Sequence, residues 1–264
     1  MITGYLTQFS PMSEDCSIII PSWNDEIRLA KTLERLLPVL DASGIDFEVI
    51  IVVDGDSRAT EQAIRRFRKR VKLLTHPIRR GKGGAVLSGF SHAETDRIGF
   101  LDSDGPIPPE QIVAMYKLLD VYDCVVASRW TIGSKIITPQ PVSRRIFSRL
   151  WNVMVRSILF IPLSDTQCGV KVFKRGPVDE VLTKISITNW AFDVSLLFHL
   201  MEAGYTLAEY PVDWSDSQDS RLDILGTIPS MFMALLGMRI MNTPLRKYVP
   251  QKWVSWYQKK CSAT

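Results

Sequence analysis

Apolar and polar positions along the chain alternate between two periods. Residues 16–20 (CSIII) form a short unbroken apolar run closed by Pro21 and read as a buried strand. Ile27, Ala30, Leu33, Leu37 and Leu40 then recur at spacings of 3, 3, 4 and 3, the period of an amphipathic helix. FEVIIVVD (47–54), VKLLTH (71–76), IGFLD (98–102) and DCVVASR (123–129) are further strands. Between them lie a short helix around 60–69, a helix opening on the glycine-rich turn RRGKGG (79–84) and running to about 92, and a helix over 110–120. Continuous apolar strands separated by helices predict parallel strands covered on both faces. Ligands of such sheets gather at the carboxyl ends of the strands. Those ends carry Asn24 and Glu26, Asp54 and Asp56, Asp102 and Asp104, and Arg129, which are expected on one face.

The second half has a different texture. Residues 130–141 read as a loop, and 142–161 as a basic and apolar stretch with Arg144, Arg145, Arg149 and Arg156 among Phe147, Leu150, Trp151, Met154, Ile158 and Phe160. A loop holding Asp165, Cys168 and Gly169 leads into the strand VKVFKR, then a helix near 191–203 and a strand near 206–212. The segment 222–242 is apolar and methionine-rich, and the tail holds Trp253 and Trp256. No repeat or low-complexity linker interrupts the chain, which points to one continuous domain.

Composition narrows the classes. The 264 residues suffice for one large α/β domain, and 46% apolar with 23% charged residues is ordinary for a globular protein. A net charge of +4 is too mild for a dedicated nucleic-acid binder, yet it suits anionic substrates or an anionic membrane face. Four scattered cysteines with no C-x-x-C argue against a zinc site or disulfide framework and for a reducing cytoplasm. The N-terminal residues lack the basic start and apolar core of a signal peptide. No window reaches the ~18 uninterrupted apolar residues of a clear membrane span.

FLDSDGPIPP (100–109) sets two carboxylates two residues apart before three prolines. Extended residues i and i+2 point the same way, so Asp102 and Asp104 suit one hard divalent cation; the alternative is a solvated acidic turn. RRGKGG departs from the P-loop, because Lys82 is followed by Gly83 and the earlier glycine is missing. A basic glycine-rich turn opening a helix still suits a diphosphate, through backbone N–H groups and the helix dipole. His76, His92 and His199 stand isolated and read as local hydrogen-bonding residues, and Cys168 as a packing residue. Arg144 and Arg145 read either as a solvated helix face or as a phosphate-capturing pair.

Taken together these stretches resemble the family 2 glycosyltransferases of the GT-A fold, in particular the dolichyl-phosphate mannose and glucose synthases. IIIPSWNDE is similar to that family's P-x-Y-N-E strand end, with Trp23 in place of the usual tyrosine. VVDGDS resembles V-D-D-G-S with its middle residues exchanged, so that Gly55 stands where aspartate is expected and Asp56 where glycine is. RRGKGGAVLSGF resembles the glycine-rich turn and helix, and FLDSDG the D-x-D metal site. SDTQCGVKVFKR, WAFDVSLL and VDWSDSQDSRL look most like the glucose-synthase branch.

The resemblance implies a GT-A fold, an α/β architecture with a mostly parallel Rossmann-like sheet flanked by helices and with C-terminal amphipathic helices. It divides the chain into an extension (1–15), a catalytic domain (16–221, with 130–161 facing the acceptor) and an amphipathic, membrane-facing segment (222–264). It implies an inverting transfer of glucose or mannose from a nucleotide-diphosphate sugar to a polyisoprenyl phosphate, with Mg²⁺ or Mn²⁺ on Asp102 and Asp104. Pro21, Asn24, Glu26, Asp54, Asp56, Lys82, Asp102 and Ser103 would line the nucleotide sugar, with the choice between Asp54 and Asp56 at the nucleoside left open. Arg129, Arg144 and Arg145 would face the acceptor phosphate. The catalytic set would be Asp102, Asp104, Arg129 and Asp193.

A phosphate monoester is already an anionic nucleophile at neutral pH and needs no protein base. A hydroxyl acceptor, the alternative, would need one, with Asp193 or Asp165 as candidates. The acceptor's isoprenoid tail implies peripheral binding to the cytoplasmic face of a membrane through 142–161 and 227–241, the second being equally readable as a core helix. A non-catalytic nucleotide-sugar-binding protein is the more distant alternative.

Overall fold

The structure is a computed structural model that describes residues 15–138, 142–185, 191–215 and 224–253, with the backbone alone for 142–144, 224–231, 244 and 245. Residues 1–14 of the expected N-terminal extension, the later part of VDWSDSQDSRL, Trp190 and Trp256 lie outside the described residues.

The alternation of the first half folds as the pattern predicts. It comprises β1 (Cys16–Ser22), α1 (Glu26–Ala42), β2 (Phe47–Asp54), α2 (Arg58–Ala63), β3 (Lys72–His76), α3 (Gly81–His92), β4 (Arg97–Leu101), α4 (Pro109–Lys117) and β5 (Cys124–Ser128). The second half supplies β6 (Lys135–Thr138), α5 (Val142–Leu159), β7 (Val170–Lys174), α6 (Arg175–Leu182), α7 (Phe192–Glu202), β8 (Leu207–Pro211), β9 (Asp213–Ser215) and α8 (Ile224–Met241). The stretch 130–141 is not loop throughout: β6 lies within it and pairs in parallel with β9 as a separate two-stranded sheet. Four residues paired with three leave too short a pattern to stand out in sequence. The helix expected over 60–69 also breaks, into α2 and a 3-10 turn at Arg65–Phe67.

Seven strands form one sheet in the order β3-β2-β1-β4-β7-β5-β8. Every pairing in it is parallel except the two made by β7, which runs antiparallel between β4 and β5. Because side chains alternate along a strand, an unbroken apolar run feeds two cores at once. Ile19, Ile50, Val52, Phe100 and Phe173 pack on one face with residues of α3, α5 and α7. Ile18, Ile20, Val49 and Ile51 pack on the other with residues of α1 and α4. The carboxyl ends of β1, β2, β4 and β5 and the start of the reversed β7 therefore share one edge, where the polar residues collect.

Gly89 lets α3 lie against β1: a Cβ there would sit 2.6 Å from Cγ1 of Ile19, whose branched side chain is fully buried in the sheet centre. Alanine gains about 1 kcal/mol of helix propensity over glycine, but overpacking a closed core costs about 1–3 kcal/mol. Gly89→Ala should therefore lower the urea midpoint at unchanged m-value; a raised midpoint would show that the helix can shift outward.

Candidate active site

The D-x-D turn is built by hydrogen bonds that aim its carboxylates. Asp102 directly follows β4; its N–H donates to the Gly169 carbonyl at 3.0 Å, and the Gly105 N–H closes the turn on the Asp102 carbonyl at 3.0 Å. Gly105 sits at φ 53°, a backbone region open to glycine. Helix α1 grips the turn from below: Thr32 Oγ1 donates to the Ser103 carbonyl and Arg35 Nη2 to the Gly105 carbonyl, each at 2.9 Å. The Ser103 hydroxyl donates to Asp25, whose other oxygen pairs with Arg28. Pro106, Pro108 and Pro109 then carry the chain out of the sheet, with Pro109 in the first turn of α4.

Asp102 and Asp104 remain partly exposed at this edge. A Cβ on Gly169 would lie 2.7 Å from the Asp102 Cγ, so the glycine keeps that carboxylate's space clear. Among the described residues no cluster of three or more acidic, histidine or cysteine ligands exists. Two carboxylates alone suit Mg²⁺ or Mn²⁺, which typically complete their shells with water and phosphate oxygens. The residues present fit such an ion.

A buried ion network adjoins the turn. Lys82, in the first turn of α3, places Nζ 2.9 Å from Asp102 Oδ1 and 3.3 Å from Asp193 Oδ2. Asp193, in the first turn of α7, uses its other oxygen for Lys171 Nζ at 2.9 Å, and Lys171 also donates to the Cys168 carbonyl at 2.8 Å. Both ammonium groups lie 5.2 Å from the centroid of Phe100, on its electron-rich side. Burial works against the charge on Lys82, yet Asp102 and Asp193 hold its pKa above the usual lysine value. Burial likewise pushes the Asp193 carboxyl up, and Lys171 with Lys82 overcome this and keep it ionised below the usual range.

Asp54 is an internal partner of the glycine-rich turn. Its two oxygens accept from the Arg80 N–H at 2.7 Å and the Gly81 N–H at 2.8 Å, which satisfies the amide that opens α3 and the one before it. Of the N–H groups that the sequence suggests for a ligand, these two are thus committed to Asp54. Next to it Gly55 takes φ 133° facing Trp23, on which the Arg79 guanidinium stacks at 3.7 Å. The exchanged Asp56 points outward and binds Arg58 through both carboxylate oxygens, and those hydrogen bonds hold its pKa at about 2. Asp56 is thus separated from the network, whereas Asp54 braces it.

At the end of β5, Arg129 makes a bidentate pair with Asp165, Nε to Oδ2 at 2.6 Å and Nη2 to Oδ1 at 2.9 Å, both side chains being buried. Burial would push the Asp165 carboxyl up, but the Arg129 charge holds it low. Arg129 also lies against Trp130 and Trp214, and Arg149 of α5 covers Trp130 at 4.6 Å. Arg129, Trp130, Ile136, Arg145 and Trp214 line one shallow pocket. Arg129 is therefore held first by Asp165, and Arg145 is the exposed cation of this pocket. Arg144 lies on α5 with its side chain outside the described residues.

Pro21 sits in β1 opposite Val52, Asn24 takes φ 49° in the loop that follows, and Glu26 opens α1. The histidines keep to local roles: His76 bonds Ser88 Oγ at 2.7 Å, His92 bonds the Ser88 carbonyl at 2.8 Å, and burial pushes His199 down to about 4. Burial pushes the Cys168 thiol up to about 12, which removes it as a nucleophile. Sequence reasoning missed Asp25 and Lys171. The signal for Lys171 was present, a lysine at an inward position of the apolar run VKVF.

Comparisons with known proteins identify the family. The Glycosyl transferase family 2 model matches residues 17–182. A dolichyl-phosphate beta-glucosyltransferase of Drosophila melanogaster is 31% identical over 237 residues, covering 80% of this chain and 70% of that protein. The glycosyltransferase AglD of Haloferax volcanii is 28% identical over 238 residues, covering 87% of this chain but only 37% of its own length. Among solved structures, glucosyl-3-phosphoglycerate synthase from Mycobacterium tuberculosis in complex with Mn²⁺ and uridine-diphosphate-glucose superposes with a TM-score of 0.64 at 18% identity, over 84% of this chain and 79% of that one. The fold is that of the GT-A glycosyltransferases. Sheet order, D-x-D turn and matched residues together make this chain a member of glycosyl transferase family 2.

Proposed function

We propose that the protein transfers a hexose from a nucleoside diphosphate sugar to the phosphate of a polyisoprenyl, dolichyl-type lipid at the cytoplasmic face of a membrane. Glucose is the hexose favoured by the relatives named dolichyl-phosphate beta-glucosyltransferase, and uridine diphosphate the nucleotide favoured by the solved neighbours.

The observation that carries this reading is the condition of Asp193 and Asp165. Each is buried, ionised and bound on both oxygens by cations or N–H groups. A general base must take up a proton during the reaction, and carboxylates held this low are poor acceptors for it. An acceptor that arrives ionised removes the requirement. The second pKa of a phosphate monoester is about 6, so this nucleophile is anionic at neutral pH.

The remaining parts match that chemistry. Lys82 and the Asp102–Asp104 turn stand at the diphosphate end, and Arg145 with Arg129 at the pocket suited to an acceptor phosphate. A divalent ion held by Asp102 and Asp104 would neutralise charge on the departing nucleoside diphosphate. The chain's own share is orientation: guanidinium groups hold the incoming phosphate, and the braced turn holds the leaving group.

Membrane contact rests on α5. Ile146, Leu150 and Val153 leave 55%, 62% and 59% of their surface exposed, and Arg145, Arg149 and Arg156 flank them. Phe160, at φ 55° just past the helix and 65% exposed, extends the stripe, and Arg239 of α8 stacks on its ring at 4.8 Å. Phe232 and Leu236 of α8 are partly exposed as well. An apolar stripe beside cations is the composition of an interfacial helix. Among the described residues no helix is long and apolar enough to cross a membrane.

With UDP-glucose and polyprenyl phosphate, the acid limb of kcat/KM should fall near pH ~6 and move upward with a phosphonate acceptor of higher second pKa. An acid limb independent of the acceptor would instead indicate a protein base and a hydroxyl-type mechanism. Asp102→Asn and Asp104→Asn should each reduce transfer about hundredfold or more with the melting temperature kept; wild-type rates in either would return the motif to an ordinary turn. In flotation assays the protein should rise with phosphatidylserine vesicles, and Leu150→Glu with Phe160→Glu should leave it at the bottom. Equal flotation of both proteins would remove α5 from the membrane-contact role.

A further inference from the structure

Lys171 is the least expected charge in the molecule. It is the second residue of β7, between Val170 and Val172, and its side chain is fully buried on the face that carries Phe100 and Phe173. It lies opposite Phe100 on β4 and Val126 on β5, in the centre of a seven-stranded sheet. A buried ion pair is seldom a net source of stability, and an apolar residue of similar length would fill this space with less desolvation. Stability therefore does not account for a lysine here, and a broken local rule of this kind marks sites where the charge is used.

Its use is visible in what it touches. Lys171 Nζ takes Asp193 Oδ1 at 2.9 Å and the Cys168 carbonyl at 2.8 Å, leaving Asp193 Oδ2 for Lys82 at 3.3 Å. Lys82 is thereby shared between Asp193 and Asp102, whose Oδ1 is 2.9 Å away. Without the second tether the Lys82 ammonium would belong to Asp102 alone. Without Lys171, Asp193 would carry a full charge toward Lys82 and draw it inward.

We infer that Lys171 is a positioning residue, acting through Asp193 to hold the Lys82 ammonium poised beside Asp102, where it can donate to the diphosphate of the nucleotide sugar. This rests on the nucleotide-sugar reading above but not on the identity of the acceptor. The relay balances without any outside group: two ammonium and two carboxylate groups, Lys171, Asp193, Lys82 and Asp102, alternate along one line of contacts.

The test is a double-mutant cycle read by calorimetric titration of UDP, and separately of GDP, in saturating Mn²⁺. Lys171→Met keeps length and removes charge; it should weaken nucleotide binding about tenfold or more, the value of a charge-assisted hydrogen bond. In a Lys82→Met background the same change should cost no further affinity, because its effect passes through Lys82. Asp193→Asn breaks the link from the other side and should reproduce the loss if Lys171→Met proves too unstable to titrate. Unchanged affinity in a folded Lys171→Met or Asp193→Asn protein would overturn the inference, and so would an undiminished loss in the Lys82→Met background, the mark of a merely structural role. Wild-type protein that binds neither nucleotide would overturn both this and the nucleotide-sugar reading, whereas binding without transfer to polyprenyl phosphate would count against the acceptor alone.

Discussion

Asp193 carries one negative charge that two lysines divide, in a place that water scarcely reaches. Three elements must meet for this to happen. The reversed strand β7 brings Lys171 beside Phe100, helix α7 sets Asp193 in its first turn, where the helix dipole favours an anion, and α3 brings Lys82 over the same ring. Gly83 permits the last approach, since a Cβ there would lie 2.5 Å from Cγ of Phe192. An uncompensated charge in such a place is expensive, so the packing of these elements and the pairing of the charges select each other.

The acidic groups at this edge of the sheet divide into two kinds. Asp54, Asp165, Asp193 and Asp25 are consumed internally: they satisfy backbone N–H groups, a guanidinium, two ammonium groups and a serine hydroxyl. The turn of Asp102 and Asp104 is held through the Asp102 N–H and carbonyl and the carbonyls of Ser103 and Gly105; both side chains stay partly exposed, and Asp102 also pairs with Lys82. A turn gripped through its backbone keeps its carboxylates aimed. This is the preorganisation that electrostatic catalysis requires.

The proposed reaction joins a charged, water-facing donor to a lipid acceptor. On that proposal the donor would bind at the ends of β1, β2 and β4, and the acceptor phosphate at the pocket lined by Arg129 and by Arg145 of α5. Trp130 between Arg129 and Arg149 ties the two regions together through stacked cations. An acceptor head could enter there with its tail still in the membrane, so neither end of the lipid would need to leave its preferred solvent.

Most of the architecture was legible along the chain. Strands buried on both faces read as unbroken apolar runs, amphipathic helices show their 3.6 period, and both signals are local. Asp102, Asp104 and Lys82 stood out because turns and glycines flag themselves within a few residues. The short pair β6–β9 and the reversal of β7 did not, since pairing depends on partners some 75 residues away or on sheet order. The same distance hid the fate of the charges. Sequence named Arg129, Asp54 and Asp193 as candidates facing a ligand, but a residue's type cannot say which of several cations will reach it. Only the tertiary structure assigned Asp54 to the amides of α3, Arg129 to Asp165 and Asp193 to Lys171 and Lys82, because electrostatic partners are chosen by proximity in space and by burial, and neither is a property of neighbouring letters.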